Sequence, residues 1–182
     1  LVDDNGVVGE QRGGIITTID GLLTTLTNGT VRFVNGRIAT MNGGLVDSVN
    51  STGIVDVMNN GTITAMDGLV SSMTGGTIGN VTGTVTSATG GDINKVSATG
   101  TVNNLNGAHI VETTGTIDEI NSGLVDLMSG GTVTAMKGGK LTTITDGLIS
   151  AMSGGLITNF NGGILSTMTG GNITTARGGT IT

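Results

Sequence analysis

Glycine restarts this chain every seven or eight residues, and two apolar residues follow it at fixed offsets each time. Residues 61–91 show the pattern: GTITAMDGLVSSMTGGTIGNVTGTVTSATGG. A nine-residue interval intrudes occasionally, and from Gly107 onward the spacing is eight throughout. Counted from each glycine, the second and fifth residues are apolar. Examples are Val31 and Val34, Ile63 and Met66, Val133 and Met136, and Ile157 and Phe160, which we take as structural core. Charge almost never enters either column. Arg32, Asp47, Asp56, Asp118 and Asp126 share the third offset, and Asp20, Asp67, Lys137 and Arg177 the sixth. Two offsets therefore face a dry interior and the others face water.

The seven-residue units imitate a helical heptad, but energetics rejects a helix. Each glycine costs a helix about 1 kcal/mol relative to alanine, so roughly twenty units cost more than a whole domain's stability. Thr, Val and Ile add side-chain rotamer penalties in a helix and suit a pleated surface instead. Gly and Asn-Gly then mark corners. The expected fold is all-β: an elongated parallel β-helix of short strands and tight bends, with 1–13 as an irregular lead-in and 14–182 as the repetitive shaft. One conflict stands. A gap of three between apolar columns does not fit flat period-two alternation, so a corner or bulge must fall inside each unit.

Two windings satisfy this pattern. One chain can coil on itself as a solenoid of two or three units per coil. Three identical chains can instead intertwine, each giving one strand per level. No longer period is visible in the identities of the apolar columns, and three-fold symmetry makes all faces equivalent. The intertwined homotrimer is therefore the leading expectation, and it implies that an isolated monomer is unfolded. Its rod would be on the order of 100 Å long, against roughly a third of that for a solenoid with three units per coil.

Composition closes off other classes. Glycine supplies 35 of 182 residues, but not at every third position, and there is no proline, so collagen is excluded. Apolar residues at fixed intervals separate the chain from a disordered Gly/Ser linker. No apolar run is long enough for a spanning helix, so no membrane insertion is expected. The net charge of -6 disfavours nucleic acid. Absence of cysteine rules out a disulfide framework. Leu1 and Thr182, the latter in mid-repeat, suggest a piece of something longer.

The stretches GGTVTAMKGG (130–139) and GGLITNFNGGILSTMTGGNITTARGGTIT (154–182) resemble the triple-stranded β-helical shafts of bacteriophage tail fibres, tail spikes and needle proteins. The inward residues are placed differently from the octad of such spikes, and the iron-binding His-x-His tip is absent. The resemblance implies a virion protein: a non-enzymatic homotrimeric shaft in a tail or collar. Its partners would be other tail or collar proteins, with a host receptor engaged through a separate tip. The alternative resemblance is to the Gly- and Thr-rich passenger domains of bacterial surface adhesins, which function as one chain.

Few residues invite chemistry. In GAHIVETTG the repeat fails: counted from Gly107, His109 takes the second offset and Glu112 the fifth. Three copies converging on an axis could hold an ion there. The preferred reading is a local register shift that turns Ile110 and Val111 inward and sends His109 and Glu112 out. Asp3, Asp4 and Asn5 read as a solvated turn, since calcium-loop spacing is missing. Asn50, Asn80 and Asn172 fall in glycosylation sequons. Thr62 and Thr64, or Thr132 and Thr134, read as polar β-exterior. The methionines read as adaptable core filler. No catalytic residue and no cofactor are expected, and receptor recognition would need aromatic and Arg anchors that are scarce here.

Overall fold

The segment Thr62-Ile63-Thr64-Ala65-Met66 shows how each unit becomes a strand. Ile63 and Met66 are fully buried, while Thr62, Thr64 and Ala65 face water. In its ladder to the next coil, Thr62 pairs with Thr77, Ile63 with Ile78, Ala65 with Asn80 and Met66 with Val81. The third residues, Thr64 and Gly79, drop out of the ladder. The same omission recurs in strands Leu45–Val49 and Leu69–Met73. The corner inside each unit therefore sits at the third offset. It lets two successive residues face outward and brings the fifth back to the interior, which reconciles the gap of three with a pleated strand.

The computed structural model describes residues 1–182 as an all-parallel β-solenoid of about 12 turns without a helix. Each coil uses two units and closes within one chain. Strands beginning at Val7, Leu22, Arg37, Ile54, Leu69 and Thr84 stack on one face. Those beginning at Ile15, Thr30, Leu45, Thr62, Thr77 and Asp92 stack on the other. Register gives the coil length directly. It is 15 residues from Val7 to Leu22, 17 from Arg37 to Ile54 and 16 from Leu124 to Lys140.

Single-chain closure corrects the expectation of an intertwined trimer. Both apolar columns are already dry within one polypeptide, so no second chain is needed to cover them. Val31, Val34, Ile63, Met66, Val133, Met136, Ile157 and Phe160 all lie at 0% exposure in one continuous core. Seven of the methionines, from Met41 to Met152, are buried in it, and Met168 is half-buried. With two units per coil, about 12 turns at ~4.8 Å give a rod of about 55 Å.

Regular structure reaches into residues 1–13. Strand begins at Val7, and Val7 through Gln11 run in register with Leu22 through Leu26. Gln11 stands at the fifth offset of that first coil, buried at 5% exposure. Its amide donates to the carbonyls of Gly14 and Thr30, both at 3.2 Å.

Up to Gly115 two kinds of corner alternate, and from Gly123 on the glycines before both faces have positive φ. Before the face that begins with Ile15, glycines such as Gly61 adopt positive φ (98°), and a Cβ there would meet the Gly44 carbonyl oxygen at 2.7 Å. Before the other face, Gly36 has no positive φ, but a Cβ would collide with the carbonyl oxygens of Asp20 and Gly21. Side-chain ladders reinforce the corners. Asn50 donates to Asn35 and Asn35 to Asp20, both at 2.6 Å, and Asn59 donates to Asn42 at 2.9 Å. Four-residue turns at Asp3–Gly6, Asn50–Gly53 and Ser97–Gly100 recur three coils apart, each closed by a 2.8 Å backbone bond.

A closed coil makes the isolated chain self-sufficient. It should sediment as a folded monomer with a β-sheet circular dichroism spectrum. Ile63→Ala should lower its stability by about 2–5 kcal/mol in urea titration, because the rigid coils above and below cannot collapse into the cavity.

Candidate functional site

The one place where the repeat breaks is also where polar side chains gather. The ladder aligns Asp92, His109 and Leu124, then Ile93, Ile110 and Val125. Lys95, Glu112 and Leu127 follow, then Val96, Thr113 and Met128. His109 therefore occupies the first offset of its unit rather than the second. Ala108, at 1% exposure, fills the slot that glycine holds elsewhere. Ile110 and Thr113 point inward at 0% exposure. Val111, expected inward, is 40% exposed, because it falls on the third offset where the strand corners. His109 and Glu112 both lie on the outer surface, off the core.

Stacking places His109 between two carboxylates on neighbouring coils. Its Nδ1 lies 3.0 Å from Asp92 Oδ1 and its Nε2 2.8 Å from Asp126 Oδ2. The three side chains thus bridge three successive coils of one face. Both ring nitrogens donate only when the imidazole is protonated. The hydrogen bond to Asp126 accordingly raises the His109 pKa above its ordinary 6.5; partial burial opposes this, and Asp92 adds a smaller upward push. Beside the bridge on this face Lys95 and Glu112 pair, with Nζ and Oε1 3.6 Å apart, and Lys140 follows on the coil after Asp126. Ser129 donates to Glu112 at 3.0 Å.

This arrangement can hold coils together; it cannot readily act as a base. Each imidazole nitrogen already faces a carboxylate, so neither is free to take a proton from a substrate. The nearby hydroxyl of Ser129 is bonded to Glu112 rather than to the imidazole. No group of three or more His, Asp or Glu side chains converges on a point that could hold a metal ion.

The remaining candidates are more dispersed. Asp3, Asp4 and Asn5 form the first of the four-residue turns. Between that turn and the Asn50–Gly53 turn lies an open notch of about 410 Å³. Its polar groups are mostly committed: Arg37 pairs with Asp56 at 2.6 Å, Thr52 donates to the Asn35 carbonyl at 2.9 Å, and Asp20 accepts from Asn35. Asn50 is tied into its corner ladder, and Asn80 accepts from Ser97 at 2.6 Å. Thr84, Thr101, Thr116 and Thr132 form one outward rank along a face. The sequence pointed to His109 as an anomaly but not to its partners. Asp92 and Asp126 are one coil away on either side, and the link appears only once coil length is known.

Compared with known proteins, the chain matches no family model, no curated protein and no solved structure.

The histidine bridge gives a signed pH dependence. A raised native pKa means that the folded state holds the proton more tightly than the unfolded chain. The stabilisation is full below the unfolded value of about 6.5 and is lost as pH rises through the native value. Urea midpoints should fall across that window, and His109→Ala should flatten the fall. In an NMR titration, Asp126→Asn should lower the His109 pKa more than Asp92→Asn does.

Proposed function

We propose that this chain is a non-enzymatic structural spacer, a stiff length of β-solenoid that separates or presents other parts of a surface structure. The observation that carries this reading is the continuous dry core, from Leu23 to Leu165, stacked coil upon coil. Such a core resists bending because every coil is hydrogen-bonded to its neighbours above and below. The exterior of Thr, Ser, Asn and short charged residues suits solubility rather than recognition, since the large anchors that dominate binding interfaces are nearly missing.

Two settings fit a spacer of this kind. Closure of each coil by one chain favours a bacterial cell-surface adhesin, whose repeat domain works as a single polypeptide. A shaft in a bacteriophage tail or collar fibre is the second setting, supported by the repeat chemistry of 130–139 and 154–182. Its homotrimer would then consist of three closed solenoids side by side.

A spacer is defined by its number of coils. Deleting residues 54–100 joins equivalent positions of the three-coil period, so the shortened chain should stay folded and protease-resistant. It should lose about 14 Å in length by small-angle scattering. Immunogold labelling of the native source should mark filaments projecting from a cell surface or a virion. Label confined to the cell interior, or hydrolytic activity that disappears with residues 54–100, would overturn the proposal.

A further inference from the structure

Asn-Gly pairs recur at the corners, and the fold treats them in two different ways. At Asn28 and Asn60 the following glycine turns its N–H back onto the preceding side chain. Gly29 N donates to Asn28 Oδ1 at 2.8 Å, and Gly61 N donates to Asn60 Oδ1 at 2.8 Å. The two corners have nearly the same geometry, with glycine φ of 95° and 98°, and both asparagines are exposed. The side-chain carbonyl carbon lies one C=O bond, about 1.2 Å, from that acceptor oxygen. The hydrogen bond thus keeps the glycine nitrogen near the carbon it would have to attack, and no glycine side chain obstructs it.

Two other Asn-Gly corners, at Asn5 and Asn35, are locked. Gly36 N donates to the Ile19 carbonyl at 2.9 Å, and the Asn35 side chain is held at both its oxygen and its nitrogen by the corner ladder. Gly6 N donates to the Asp3 carbonyl at 2.8 Å. At these positions the nitrogen is held by a backbone acceptor rather than by the neighbouring side chain.

We infer that Asn28 and Asn60 are sites of spontaneous covalent modification by deamidation, selected by the corner geometry. The glycine nitrogen gives up its proton and bonds to the asparagine Cγ. The bond from Cγ to the side-chain nitrogen breaks, and that nitrogen leaves as ammonia with the proton. The resulting five-membered imide adds water at one of its two carbonyls and opens to aspartate or to isoaspartate. No electrons are transferred, and water is the only co-reactant. Each event adds one negative charge to a chain already at -6. The isoaspartate product also inserts a side-chain carbon into the backbone. Asp146 shares the geometry, with Gly147 N donating to Oδ1 at 2.7 Å. It would lose water instead of ammonia and reach isoaspartate without a change in mass.

The test is peptide mapping with isoaspartate detection on the whole chain aged in mildly alkaline buffer, alongside the same chain unfolded in urea. Asn28 and Asn60 should convert several-fold faster than Asn5 and Asn35 in the folded protein, and the four rates should converge in urea. Asn60→Ser should remove conversion at that corner while leaving the rate at Asn28 unchanged. Equal rates in the folded protein, no conversion at Asn28 and Asn60, or a ranking that persists in urea would each overturn the inference.

Discussion

The structure depends on one arrangement: every coil passes its backbone hydrogen bonds to the coil on either side, in parallel and in register. A coil bonded in this way must keep its inward side chains stacked on those of its neighbours, as Val31, Val46, Ile63 and Ile78 are. Coil length can vary between 15 and 17 residues only in the corners, where no inward side chain is displaced. Glycine follows from the same requirement. Corner backbones of successive coils touch, so some glycines are needed for positive φ and others only because nothing larger fits. Gly61 and Gly36 illustrate the two cases.

Much of this was legible in the sequence, and what escaped has physical causes. The two apolar columns follow from chemistry alone, because burial demands apolar residues wherever they fall. Their gap of three announced a corner without locating it; the ladder shows that the third residue is the one that leaves the pairing. The number of units per coil was harder. Its signature lies in spacing rather than in identity. Gly14, Gly21, Gly29, Gly36 and Gly44 alternate by seven and eight because short and long corners alternate. The column residues carry no such period, since both faces ask for the same branched aliphatics. Equivalence of faces, which favoured three chains, is equally well met by a two-sided coil of one chain.

The histidine unit makes a related point. Counting from Gly107 puts His109 and Glu112 in core positions and creates an apparent buried charge. In the structure, Ala108 takes the corner slot, and the whole unit moves by one residue. Thr113 then enters the core as a buried polar residue, as Gln11 does in the first coil, its hydroxyl accepting from Gly115 N at 3.3 Å. The Asp92–His109–Asp126 bridge lies over this unit, joining it to the coils above and below at the point where its own core column is weakest.

Closure of each coil by one polypeptide is the claim from which rod length, core and corner chemistry all derive. It is tested most directly by a spin-label distance between cysteines placed at Thr17 and Thr142, third-offset residues of the same face separated by eight coils. The chain has no native cysteine to interfere. Eight coils at ~4.8 Å should give a separation of about 38 Å, unchanged when labelled chain is diluted with unlabelled chain. A separation near ~77 Å, one strand spacing for every unit rather than every second unit, would contradict it.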